Sequence, residues 1–161
     1  MTNTFDDDAA GYLKRIAEAL ERFTPPPRNT DPDEADGFLW DAESDSLAPV
    51  REVQYLPLAL LLGMDAHKER LLANTRRFAK GLPANNALLW GARGMGKSAL
   101  VKAVFGALRQ EFPNLRIVEI DRDVIGGLPR LMRLLRGHAN HRFIVFCDDL
   151  SFEEEDDTYR H

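Results

Sequence analysis

Four residues in the middle of the chain have the types and spacing needed to hold a phosphate chain. They are Gly91, Gly96, Lys97 and Ser98, within LLWGARGMGKSAL from Leu88 to Leu100. The pattern is G-x-x-x-x-G-K-[ST], the P-loop or Walker A motif, and each fixed position has a chemical reason. Gly91, Gly94 and Gly96 let the backbone adopt positive φ and approach a ligand closely. A loop curled in this way turns successive N–H groups inward, and a helix starting after it adds the positive end of its dipole. The result is an anion site. Lys97 brings an ammonium to the β- and γ-phosphates, and the Ser98 hydroxyl is a ligand for Mg²⁺. Ala92, Arg93, Met95 and Ala99 complete the run around the nucleotide. At average residue frequencies the four fixed positions match by chance in roughly one chain in two hundred of this length. Context argues further against coincidence: Ala87–Trp90 is a short apolar run of the buried-strand type, and Leu100, Val101, Val104 and Leu108 recur at helical spacing after the loop.

A second constellation lies some fifty residues on. Arg142–Cys147 contains the continuous apolar run Phe143-Ile144-Val145-Phe146 and delivers Asp148 and Asp149 at its end. Apolar runs of this kind belong to parallel strands covered on both faces. Such sheets bind ligands beyond the carboxyl ends of their strands. This is the form of a Walker B strand. Asp148 is expected beside Ser98 as the second Mg²⁺ ligand, and Asp149 is the candidate to orient or deprotonate an attacking water. The plainer alternative is that both acids cap the following turn.

The elements that must position these groups can be read in order. Asp8–Phe23 carries Tyr12, Leu13, Ile16, Ala17, Leu20 and Phe23 with charges between them, an amphipathic helix capped by Asp7 or Asp8 and expected to pack on the body of the protein rather than on a partner. Pro25-Pro26-Pro27 stops it. Asp31–Asp45 then holds seven acids and no base, so residues 24–49 read as a Pro-rich acidic linker. Phe38-Leu39-Trp40 interrupts it, either as a small docking motif or as a staple onto the core. Val50–Leu62 is apolar around Pro57 and is compatible with extended or helical structure. Asp65–Lys80 is a helix with Asp65 able to cap and Leu71, Leu72, Thr75, Phe78 and Ala79 along one stripe. Leu115–Ile120 is a strand, Asp123 a candidate cap, and Leu128–Arg136 a short helix with Leu128, Leu131, Leu134 and Leu135 inward. Alternating strands and helices argue an α/β fold over residues 50–161.

Composition bounds the rest. The chain of 161 residues is 44% hydrophobic, enough for one cored domain and a tail. Its net charge of −5 argues against wholesale binding to nucleic acid or anionic membrane. No apolar run reaches the ~18 residues of a membrane span. The start, MTNTFDDDAA, lacks the layout of a secretory signal. A single cysteine, Cys147, excludes an internal disulfide. The chain reads as cytoplasmic. Cys147, Trp40 and Trp90 are expected as packing residues. Arg130, Arg133 and Arg136 form a basic stripe, read as a solvated helix face in preference to a nucleic-acid or subunit contact. Glu153–Asp157 reads as a solvated helix start, and the histidines have no metal-ligand spacing.

GLPANNALLWGARGMGKSALVKAVF together with FIVFCDDLSFEE resembles an uncharacterised bacterial family of predicted AAA-like ATPases, the DUF 815 group. The upstream LLLGMDAHKERLLANTRRF is similar to the family's segment before the P-loop, so the resemblance runs over roughly Leu58–Tyr159. It implies a three-layer αβα P-loop ATPase fold of the ASCE type, with ATP and Mg²⁺ as ligands and a homo-oligomer as the assembly. The segment matching Leu61-Leu62-Gly63-Met64 would line the adenine pocket, which assigns Leu62 and Gly63 to nucleotide binding. Many AAA proteins carry Glu at the position of Asp149, whereas initiator-type and helicase-loader-type members resemble this chain in having Asp. AAA proteins continue with a sensor strand, an arginine finger and a helical lid. In their sheet, ordered 5-1-4-3-2, the fourth strand separates the P-loop strand from the Walker B strand. A chain ending at His161 would leave a gap there or pair the two directly, and is expected to be marginally stable and a poor hydrolase. The function expected is ATP binding, coupled in intact relatives to remodelling of a protein or nucleic-acid partner. The rival readings are a catalytically silent nucleotide sensor and a small-molecule phosphotransferase with adjacent Walker strands.

Overall fold

The computed structural model describes residues 4–23, 31–92 and 94–148. It is a mixed α/β protein built on one four-stranded sheet. The strands are β1 (Gly37–Asp41), β2 (Ser46–Val50), β3 (Leu115–Ile120) and β4 (Arg142–Cys147), in the spatial order β2-β1-β3-β4. β2 is antiparallel to β1, while β1, β3 and β4 are parallel. In the β3–β4 ladder Leu115 faces Arg142, and the register runs to Ile120 opposite Cys147. The helices are α1 (Thr4–Phe23), α2 (Asp65–Ala79), α3 (Lys97–Arg109) and α4 (Leu128–Arg136).

Each face of the sheet is covered. On one, Leu115, Ile117 and Phe146 meet Leu100, Val104, Phe105 and Leu108 of α3, with α2 outside them through Leu71, Leu72, Phe78 and Ala79. On the other, Phe38, Trp40, Val118 and Ile120 meet Leu131 and Leu135 of α4. The alternation along β3, with Leu115 and Ile117 on one side and Val118 and Ile120 on the other, follows from the two-residue period of a strand. Covering of both faces explains why β4 reads as a continuous apolar run, Phe143–Phe146. The expected stripes of α2 and α4 also face inward, where Thr75, Ala79, Leu131 and Leu135 are buried. Arg130 of α4 pairs with Asp45 at 2.8 Å, and Arg133 and Arg136 are exposed, as a solvated stripe requires.

The acidic stretch is not a linker. Its residues 37–50 form the β1–β2 hairpin, which joins the central sheet through β3. Phe38 and Trp40 are 2% and 6% exposed, so this segment is a staple deep in the core. The acids are matched by bases distant in sequence. Asp36 pairs with Arg109, and Asp33 lies 3.4 Å from Arg116 and 3.0 Å from His141. Asp41 accepts from the backbone N–H groups of Glu43 and Ser44 and closes the hairpin turn, where Asp45 takes φ 49°. Arg116 is itself buried, and donates to the carbonyls of Pro32, Pro113 and Leu115 at 2.6, 2.5 and 3.1 Å. A buried guanidinium with this many acceptors holds the 31–36 turn against the start of β3.

Other expectations need correction. α1 does not pack on the body: each of its described side chains is exposed, Leu13 to 67%. Ala87–Trp90 is not a sheet strand. It pairs with no described strand, and Trp90, expected as a packing residue, is 88% exposed. An apolar run becomes a strand only when a neighbour accepts its backbone bonds, and β4 presents its outer edge to no described strand. Met64, not Asp65, is the N-cap of α2, and Asp65 instead binds Lys68 at 2.8 Å. The turn after β3 is capped by Asp121, whose carboxylate accepts from the Asp123 N–H at 2.8 Å.

Between β2 and α2, Tyr55 packs against Gly106 of α3, and a Cβ added there would sit 2.2 Å from its ring. Because Phe38 is buried at the hairpin's contact with α4, Phe38→Ala should cost about 3–5 kcal/mol of unfolding free energy. Urea denaturation followed by tryptophan fluorescence checks this, and a loss under about 1 kcal/mol would return the segment to the status of a tether.

Candidate functional site

The glycine loop is curled as its composition requires. Gly91, Gly94 and Gly96 have φ of 139°, 79° and 82°, a region closed to most side-chain-bearing residues. A Cβ on Gly91 or Gly94 would meet nothing within 4 Å, so backbone conformation and not space demands glycine there. Gly96 is the N-cap of α3, and its carbonyl accepts from Leu100 N–H at 2.8 Å. α3 therefore starts at the loop, its first-turn N–H groups and positive dipole end directed toward it.

Lys97 folds back over the same loop. Its Nζ donates to the carbonyls of Gly91 and Ala92, at 2.9 Å each. An ammonium has three N–H groups, so the charge is tethered to the loop's rim through two of them. Met95 at the loop tip is 62% exposed, and Ala99 is half-buried on the first turn of α3. Arg93 lies outside the described residues.

Ser98 and Asp148 meet. The Ser98 Oγ donates to Asp148 Oδ2 at 2.6 Å across fifty residues of sequence. That length is typical of a hydroxyl bound to a carboxylate. Two elements produce the contact, α3 by beginning at Lys97 and β4 by ending at Cys147. One turn further along α3, Lys102 reaches Glu119 of β3 at 3.0 Å and sits 5.8 Å above the Phe146 ring, a second polar tie between helix and sheet. Asp149 lies outside the described residues, as does Glu153–Asp157.

The segment upstream of α2 reaches the loop through one residue. Met64 Sδ stands 3.5 Å from where a Gly96 Cβ would be. Gly63 turns with φ 73°, Leu61 is buried in the core, and Leu62 projects into solvent at 84% exposure. Thus Met64 is brought to the loop's flank with Gly63 turning just before it, whereas Leu62 faces solvent.

A cavity of about 570 Å³ opens beyond the carboxyl ends of β1, β3 and β4. Asp148 lines it together with Glu119, Asp121 and Asp123, over a floor that includes Trp40 and Ile120. The three acids from β3 and its following turn were not marked by motif reading. The strand-end rule that singles out Asp148 applies equally to Asp121, which follows Ile120 directly. Cys147 senses this grouping. Burial first, and then the charges of Asp121, Asp148 and Glu119, push its thiol above the ordinary cysteine value. A raised pKa means less thiolate at a given pH and slower alkylation. At about pH 8, iodoacetamide should label Cys147 more slowly than a free cysteine peptide, and Asp121→Asn should raise the rate; mass spectrometry of the alkylated protein checks both.

Among the described residues no helix is long and apolar enough to cross a membrane. Comparison with curated proteins and with solved structures gives no match. One family model matches, that of the Protein of unknown function (DUF815), over residues 33–161, a span that takes in the hairpin, the glycine loop and both aspartates. The chain belongs to that family.

Proposed function

We propose that the chain binds ATP with Mg²⁺ at the glycine loop, within a P-loop ATPase fold of the AAA-like type. The Ser98–Asp148 hydrogen bond at the mouth of a loop with three left-handed glycines carries this reading. A serine hydroxyl and a carboxylate 2.6 Å apart are two hard oxygen donors converging on one point. That set suits Mg²⁺, which takes one or two protein oxygens and completes its shell with phosphate and water. When bound, Mg²⁺ neutralises charge on the β- and γ-phosphates.

The chain's own residues have distinct tasks in this reading. The N–H groups of residues 91–99 cradle the phosphates, with Lys97 exchanging its loop carbonyls for phosphate oxygens. Gly63 and Met64 flank the base, and Leu62 would have to turn inward to join them. Asp149, next along from Asp148, holds or accepts a proton from the water attacking the γ-phosphate. Members of the family would couple turnover, in a homo-oligomer, to remodelling of a protein or nucleic-acid partner.

Slow turnover fits this arrangement. Among the described residues, 87–90 enter the loop without a sheet partner, so the phosphate and attacking water are held by a loop anchored on its helical side. Small misplacements of reacting groups cost large factors in rate. A silent sensor is the second reading, favoured by the same feature. Against a phosphotransferase stands the lack of pairing between residues 87–90 and β4 among the described residues.

Titration with a fluorescent ATP analogue tests the proposal. Wild-type protein should bind in a Mg²⁺-dependent manner, and Lys97→Ala should weaken binding about 10–100-fold, the value of one or two charge-assisted hydrogen bonds. Asp148→Asn should remove most of the Mg²⁺ dependence. Undiminished binding by Lys97→Ala, with circular dichroism unchanged, would refute the site. Phosphate release with and without added acceptors separates hydrolase, sensor and transferase.

A further inference from the structure

We infer that Asn74 of α2 is a positioning residue for the glycine loop, holding the arm of chain that leads into it. Asn74 Nδ2 donates to the Asn85 carbonyl at 2.7 Å, and its Oδ1 accepts from the Asn85 N–H at 3.0 Å. A primary amide carries donor and acceptor side by side. Here it satisfies both backbone groups of one residue, as a facing residue does in the hydrogen-bonded pair of an antiparallel ladder. Asn85 lies six residues before Gly91, and the residues between, 87–90 among them, have no sheet partner among the described residues. The side chain of a helix supplies the hold that the sheet does not.

This clip is the last of a series of ties that lace the arm back along α2. At the end of the helix Gly81 takes φ 74°, with its N–H bonded to the Phe78 carbonyl and the Leu82 N–H bonded to the Arg77 carbonyl, at 2.9 Å each. That is a Schellman ending, which reverses the chain. Arg77 Nε then donates to the Pro83 carbonyl at 3.0 Å, and Asn74, one turn earlier on α2, takes Asn85. Successive residues of the arm meet progressively earlier residues of the helix, so the arm runs toward the N-terminal end of α2. The N-cap at that end, Met64, stands beside Gly96. One helix therefore touches the chain on both flanks of the loop. Its own position is set by Leu71, Leu72, Phe78 and Ala79, in the core shared with α3.

The consequence for binding rests on the ATP reading above. Without ligand, Lys97 Nζ holds the entry of the loop through the carbonyls of Gly91 and Ala92. An ammonium that turns to phosphate oxygens gives up those acceptors, and the Asn74 clip is the tie that remains upstream. Backbone that is not already ordered must be ordered when phosphate binds, and that entropy is subtracted from affinity. Asn74 thus acts on the phosphates through the loop, without touching them.

The test compares the full chain with its Asn74→Ala and Asn74→Asp variants. Hydrogen exchange of the nucleotide-free protein, read by mass spectrometry on peptides covering residues 85–92, should be faster in both variants. Titration with a fluorescent ATP analogue and Mg²⁺ should show affinity lowered about 5–20-fold, the value of one or two hydrogen bonds. The urea midpoint of Asn74→Ala should stay close to that of the wild type, because alanine is the better helix former and offsets the lost bonds. Asn74→Asp keeps the size and the acceptor but sets a carboxylate against the Asn85 carbonyl, so it should bind no better than Asn74→Ala. Wild-type affinity in either variant, unchanged exchange over residues 85–92, or a loss of binding matched by a fall in urea midpoint would each overturn the proposal. A wild-type chain that binds no nucleotide would overturn the ATP reading and this role within it, while the exchange difference would still report the clip.

Discussion

The candidate site converges on one contact, the hydrogen bond from Ser98 to Asp148. It requires α3 to begin, and β4 to end, at the same point in space. β4 is set by its ladder with β3, from Leu115–Arg142 to Ile120–Cys147, so a shift of one residue would turn Asp148 to the opposite face. α3 is set by the burial of Leu100, Val104, Phe105 and Leu108 against that same β3. Apolar packing thus fixes both termini, and the polar pair is made where they converge. Because the hydroxyl and carboxylate are not themselves buried, their bond adds little to stability. Its importance lies in geometry.

Opposing electrostatics meet at this corner. The start of α3 and Lys97 supply positive potential on the loop side, and Asp148 with Glu119, Asp121 and Asp123 supplies negative potential on the cavity side. Burial first, and then the negative half, raises the thiol pKa of Cys147. Lys97 and the acids are kept apart because the loop carbonyls hold the ammonium, at 2.9 Å, on its own side.

The sheet is covered on both faces but unevenly at its edges. On one side the β1–β2 hairpin closes it, with β2 outermost. On the other, β4 and the unpaired residues 87–90 leave apolar groups such as Leu88 and Trp90 in solvent. Open edges of parallel sheets favour association with further strands.

Local patterns sufficed for much of the molecule. The bounds of β3, α4 and β4 follow from apolar periodicity, and those of α2 and α3 within a residue or so, because each buries a face whose period is set by its own backbone. The positive φ of Gly91, Gly94 and Gly96 and the meeting of Ser98 with Asp148 were likewise legible, since spacing and the strand-end rule carry that information. What tertiary structure alone decided concerns partners far apart in the chain. The acids of residues 31–45 read as a solvated linker because Arg109, Arg116, Arg130 and His141, which answer them, lie more than sixty residues away. Ala87–Trp90 has the composition of a strand but no neighbour among the described residues to complete its hydrogen bonds, and the apolar stripe of α1 does not say which surface it meets. Sequence determines what a segment is able to bury; whether a partner is there to bury it against depends on the folded chain as a whole.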